Sequence, residues 1–187
     1  MLVRFSPQLE APHPTRLGKV VGEATLGAAG LLGMLETQLG LPPVAPKPGE
    51  ALIAYRACLD EADDLARFYH ASFATDPVGT TRTLLAWRAR WFDAGWSGEF
   101  PAGLPARLAD MAAVEKRCRG RVPLTRGERL VRIARALERG DATRIEAIEL
   151  HADPASLPIT WQRVLAHFPT TIAPGVWPEP PAKASTD

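Results

Sequence analysis

Apolar residues recur along this chain mostly at intervals of three and four. Residues 28–39 bring Leu31, Leu32, Met34, Leu35 and Leu39 onto one face, and Gly40 follows as a C-terminal stop. Residues 50–66 carry Leu52, Ile53, Tyr55, Leu59 and Leu65, with acidic residues gathered to one side. Leu84, Leu85, Trp87, Trp91 and Phe92 recur over 80–94 and end at Gly95, and 104–118 is a further amphipathic stretch. At 125–138 the opening Thr-Arg-Gly-Glu is a capping box, in which Thr125 and Glu128 satisfy each other's free backbone donors. Leu130, Ile133, Ala134 and Leu137 then follow the 3.6-residue period. A final helix is expected within 153–168, around Trp161, Val164, Leu165 and Phe168.

Strand candidates are few: 2–5, 19–23 and 144–150, the last with Ile145, Ala147 and Ile148 near alternation. This order predicts an α/β fold that is mostly helical. It would have a small parallel sheet and a large helical insertion at about 48–140. Proline supplies the punctuation. PPVAPKP at 42–48 reads as a stiff linker or exposed loop, because proline fixes φ and lacks a backbone donor. Residues 174–187 read as a Pro-rich tail or interdomain linker, which leaves one domain over 1–173.

Composition narrows the class. With 187 residues, 46% hydrophobic, 23% charged and a net charge of +1, the chain is neither disordered nor strongly acidic or basic. No apolar run approaches the roughly 18–20 residues of a membrane span, and the N-terminus lacks a secretory pattern, so a cytoplasmic protein with no membrane partner is expected. Cys58 and Cys118, the 2 cysteines, read as buried thiols in a reducing compartment.

Two motifs imitate an ATPase. Gly22 and Gly27 have the glycine spacing of a phosphate-binding loop before a helix. A working loop continues with Lys and Ser/Thr to hold phosphate and Mg²⁺, whereas Ala28 and Ala29 stand at those positions. The segment is therefore a degenerate P-loop or a chance pair of glycines, and no cofactor is expected. Asp60-Glu61-Ala62-Asp63 spells a helicase acidic box but falls at the end of a predicted helix, where a solvated helix end explains it. No lysine stands two residues after an acid, as metal-dependent nuclease chemistry requires, and the 4 histidines lack metal-ligand spacing. No catalytic or metal-ligating residue is assigned. His151-Ala-Asp153 reads as a strand end followed by a helix cap.

The remaining chemistry is cationic. Between positions 115 and 144, 10 basic residues against 4 acidic ones leave a local balance of +6. Arginine dominates, which suits forked contacts to phosphate or carboxylate. Arg126, Arg129, Arg132 and Arg135 are the candidate nucleic-acid-binding residues, with DNA as the expected partner; a solvated or acid-paired helix face is the alternative. Most aromatic residues fall at core spacing, and only Trp96 is a candidate for the surface.

Several segments together carry a family resemblance: GAAGLLGMLETQLGL at 27–41, RFYHASFATDP at 67–77, TTRTLLAWR at 80–88 and AGW at 94–96. Their runs LLxxLExxLGL and SFxxDPxxTxRxLLxWR resemble the N-terminal region of bacterial PD-(D/E)XK nucleases related to the B subunit of the AddAB ATP-dependent helicase–deoxyribonuclease. The resemblance extends over about 2–168. It implies a lapsed helicase-like domain beside a motor subunit, acting in DNA double-strand break processing. The family's nuclease carboxylates, lysine and iron–sulfur cysteines have no counterpart here, so no catalytic residue carries over. The resemblance thus implies the front piece of a longer enzyme or a truncated relative. A stand-alone protein–protein interaction module is the main alternative, and a nucleotide-binding hydrolase a weaker one.

Overall fold

The computed structural model describes residues 1–9, 22–42, 47 and 49–173. Four short strands, β1 (Leu2–Phe5), β2 (Glu23–Leu26), β3 (Ala147–Leu150) and β4 (Thr170–Ile172), form one sheet in the order β2-β1-β3-β4. Every pairing is parallel, with Val3 opposite both Ala24 and Ile148. The protein is therefore α/β, with an all-parallel sheet. Seven helices accompany it among the described residues: α1 (Ala28–Gln38), α2 (Glu50–Ala62), α3 (His70–Thr75), α4 (Pro77–Asp93), α5 (Ala106–Cys118), α6 (Arg126–Glu138) and α7 (Ile159–Leu165). None of them is long and apolar enough to cross a membrane.

Alternation along the strands decides which face is covered. Val3 and Phe5 of β1, with Ile148 and Leu150 of β3, turn to one side and are fully buried. Against them pack Leu31, Leu32 and Leu35 of α1, Leu130, Ile133 and Ala134 of α6, and Trp161, Val164 and Leu165 of α7. The Phe5 and Trp161 rings lie 4.9 Å apart between centroids. A second core gathers Tyr55, Cys58 and Leu59 of α2, Tyr69 and Phe73 beside and in α3, Leu84 of α4, and Met111, Val114 and Cys118 of α5. Each large side chain buried in either core contributes about 1.5–3 kcal/mol. Helix α6 thus belongs to the sheet's core, although it follows the four helices α2 to α5 in sequence.

Several predicted boundaries move. The strand expected at 19–23 lies instead at Glu23–Leu26, and residues 19–21 are outside the described set, as are 43–46, 48 and the expected tail at 174–187. The helix expected over 50–66 stops at Ala62, where Asp63 turns to extended backbone. Helix α4 starts three residues before position 80, because Asp76 caps it by accepting from the Gly79 amide at 2.9 Å and Pro77 opens its first turn. The stretch 153–168 divides into a 3-10 turn (Pro154–Ser156) and the short α7. The capping box of α6 forms as expected, Thr125 Oγ1 accepting from the Glu128 amide and Glu128 Oε2 from the Thr125 amide.

Candidate nucleic-acid interface

The apolar residues of α6 face the sheet, so its arginines turn outward, but they do not share one environment. Arg126 donates to Asp93 at the end of α4 (2.7 Å) and is half exposed. Arg129 forks onto Glu36 of α1, with bonds of 2.8 and 2.6 Å, and the Glu36 side chain is only 5% exposed. Arg132 and Arg135 meet no carboxylate at ion-pair distance among the described residues. Both line a cleft of about 660 Å³ between α6, the 119–124 connection and the 97–99 turn. Two of the four candidates therefore hold elements together, and two are available to a ligand. Replacing Arg129 with Ala leaves a buried carboxylate unpaired and is expected to cost about 3 kcal/mol. Replacing Arg126 should cost less than about 1 kcal/mol. Urea unfolding midpoints of the two variants check this contrast, and equal losses would refute it.

Two of the remaining cations of the basic stretch are held by close carboxylates. Arg121 forks onto Glu61 at 2.6 and 2.7 Å, and Arg139 meets Asp141 at 2.9 Å. Arg119 approaches Glu99 only at 3.6 Å with both side chains well exposed, a weak pair in water. The floor of the cleft is a buried charge cluster that the sequence reading missed. Arg88 of α4 is 3% exposed; its Nε donates to both Glu115 oxygens (2.9 and 3.0 Å), and its Nη atoms donate to the two Glu128 oxygens (2.9 Å each). The Arg88 guanidinium also sits 4.7 Å above the Phe92 ring. Burial works against the charge of Arg88, yet the hydrogen bonds to Glu128 and the charges of both carboxylates hold its pKa above the ordinary guanidinium value. Burial pushes the Glu115 carboxyl upward despite the adjacent cation. A signal was present in the sequence: Arg88 lies four residues from both Leu84 and Phe92, on the buried stripe of α4.

The glycine-spaced segment does not make a phosphate loop. Glu23–Leu26 is itself strand β2, paired residue by residue with β1, so Gly22 and Gly27 bracket a strand. The Gly22 carbonyl accepts from the Leu2 amide at 2.8 Å, and the Gly27 carbonyl accepts from the Leu31 amide at 2.9 Å. Ala28 and Ala29 open α1 without a capping side chain. The Leu9 carbonyl oxygen occupies the space where a side chain on Gly27 would stand, placing a hydrogen-bond acceptor at that turn. Extended pairing to β1 thus engages the residues between the two glycines.

Elsewhere, Glu61 lies near the end of α2 bonded to Arg121, and Asp63 caps that end and bonds His70 Nδ1 at 2.9 Å. Asp153 Oδ1 caps the 3-10 turn through the Ala155 amide, while His151 Nε2 meets Glu149 Oε1 at 2.8 Å. Among the described residues no three His, Cys, Asp or Glu side chains converge as metal ligands. Cys58 and Cys118 are both buried free thiols, and burial pushes Cys118 far above the ordinary thiol range. Trp96 is half buried among Trp91, Phe92 and Phe100, its indole N–H donating to the Glu99 carbonyl at 2.8 Å. The more exposed tryptophan is Trp87, which lines a groove of about 700 Å³ between α3 and α4 together with Ser72, Thr80 and Thr83. No protein-family model matches the chain, and no curated protein matches it.

Proposed function

We propose that this chain is a non-catalytic α/β domain that serves DNA double-strand break processing as a scaffold and DNA-contact surface. In this reading it is the helicase-like N-terminal domain of a helicase–nuclease of the kind its sequence resembles. The helical insertion expected at about 48–140 is then shortened to α2 to α5, because α6 packs in the core of the sheet; a motor subunit is the partner, and the chemistry is performed elsewhere. The observation that carries the DNA contact is the pair Arg132 and Arg135, which face an open cleft without acidic partners while Arg126 and Arg129 are held by Asp93 and Glu36. Unpaired guanidiniums one helical turn apart suit phosphate oxygens, and such contacts make binding salt-dependent.

The test is binding of the 187-residue chain to a fluorescent oligonucleotide across a salt series. Converting Arg132 and Arg135 together to Ala should weaken binding and reduce the slope of log K against log salt by about 1.4–1.8, the value for two phosphate contacts. Unchanged affinity and slope in that variant would overturn the reading. The second reading, a protein–protein interaction module, draws support from the α3–α4 groove, whose rim includes the half-exposed Trp87. Tight, salt-insensitive binding to a motor subunit, with no DNA affinity, would favour it.

A further inference from the structure

The cleft does not end at α6. Arg135 also lines a smaller hollow of about 150 Å³, shared with Thr160 and Arg163 of α7 and with Gly95 and Ser97 of the turn after α4. Ser97, Val131 and Arg135 belong to both hollows, so the two form one trough across α6. A side-chain carbon on Gly95 would stand 3.7 Å from Arg163 Nη1, so the guanidinium lies beside the loop. Arg163 is exposed and, like Arg132 and Arg135, meets no carboxylate at ion-pair distance among the described residues. Glu138 lines this hollow, and Glu50, Glu99, Glu115 and Glu128 line the larger one, the last two held by Arg88.

Three unpaired guanidiniums spread over two adjoining hollows, rather than gathered in one, match an anion whose charges repeat along a chain. We propose that the trough is a path for a phosphodiester backbone, running from Arg132 over Arg135 to Arg163, so that α7 contributes a nucleic-acid contact beyond the basic stretch of α6. This rests on the DNA-contact reading above and adds Arg163 to it. Arginine forks on phosphate carry no base preference, so the contact is independent of sequence. Single strands and duplexes offer the same phosphodiester chemistry.

The experiment compares the full chain with its Arg163→Ala and Arg82→Ala variants, using a 20-nucleotide oligothymidylate and a hairpin duplex in parallel salt titrations. Arg82 is an exposed arginine of α4 outside both hollows, so its removal changes net charge without touching the path. Arg163→Ala should weaken binding roughly five- to tenfold at 50 mM salt. It should also lower the salt slope by about 0.7 on the single strand or about 0.9 on the duplex. Whichever probe shows the loss identifies the strand form, and Arg82→Ala should leave the slope unchanged. A slope unaltered by Arg163→Ala but reduced by the Arg132/Arg135 double substitution would overturn the path while leaving the DNA contact intact. Equal losses in Arg163→Ala and Arg82→Ala would also overturn it, since bulk charge would then suffice. No binding by the unmodified chain to either probe at low salt would overturn both.

Discussion

Replacing Arg88 with Met should destabilise the chain by about 3–5 kcal/mol, the range for removing one partner of a buried ion pair. Arg88 is 3% exposed and carries four hydrogen bonds to Glu115 and Glu128. Without it, two largely buried carboxylates face one another at the floor of the cleft. The Tyr55 hydroxyl cannot replace it: that phenol is buried, and burial first, then the Glu115 charge, pushes its own pKa upward. The loss should depend on pH. A carboxyl whose pKa is raised on folding binds its proton more readily in the folded chain. Its contribution to stability is therefore complete below the ordinary value of 4.5 and declines as pH rises through the raised one. Removing Arg88 raises Glu115 further, so the variant should lose more stability at pH 8 than at pH 5. Urea titrations at the two pH values check both points, and a loss below about 1 kcal/mol at pH 8 would show that the cluster contributes little.

Gly127→Ala is expected to cost about 2–3 kcal/mol, although alanine is intrinsically the better helix former by about 1 kcal/mol. Gly127 is buried in the first turn of α6, where that helix crosses the end of α4. A methyl group there would lie 2.5 Å from the Phe92 carbonyl carbon and 2.7 Å from the Asp93 nitrogen. Both are backbone atoms within the last turn of α4, so neither can turn aside as a side chain would. The methyl would push the two helices apart beside the Arg88–Glu128 fork, weakening packing and charge pairing together. Gly33→Ala in α1 is the control, because nothing lies within 4 Å of the added carbon. It should be neutral or slightly stabilising. Thermal unfolding of the two variants decides the matter, and a Gly127→Ala protein as stable as its parent would remove the close-approach account.

Local signals transferred from sequence to structure better than distant ones. The capping box of α6, the apolar stripe of α1 and the β1 pattern depend on residues within a few positions of one another, and each appears where expected. The Asp76-Pro77 start of α4 is an equally local signal, a cap followed by a first-turn proline, lying three residues ahead of the boundary that the apolar spacing predicts. Strand β4 offered little to read, since Thr170, Thr171 and Ile172 are all exposed at the sheet edge. The candidate site was legible as a composition but not as a geometry. Nothing near Arg129 indicates that Glu36 will reach it, or near Arg126 that Asp93 will, because the partners arrive from other helices. Position on α6 alone could not separate these arginines from Arg132 and Arg135. The same holds for Arg88, whose place on a buried stripe was visible while the two glutamates that make it tolerable were not.

Of the two interior strands of the sheet, β1 comes first in sequence, and this has a consequence for how the chain assembles. Leu2–Phe5 is flanked by β2 on one side and by β3 on the other, and its partner Ala147–Leu150 is synthesised only after all of α2 to α6. Until then one edge of β1 has no strand to bond, and Val3 and Phe5 lack the Ile148 and Leu150 beside which they are buried. Closing so long a loop costs chain entropy before any contact offsets it. The core of α2 to α5 has no such wait, since all of its members lie between Ala54 and Val122. The helical unit is thus the part of the molecule that can consolidate during synthesis, and the sheet is the part that must be joined at the end.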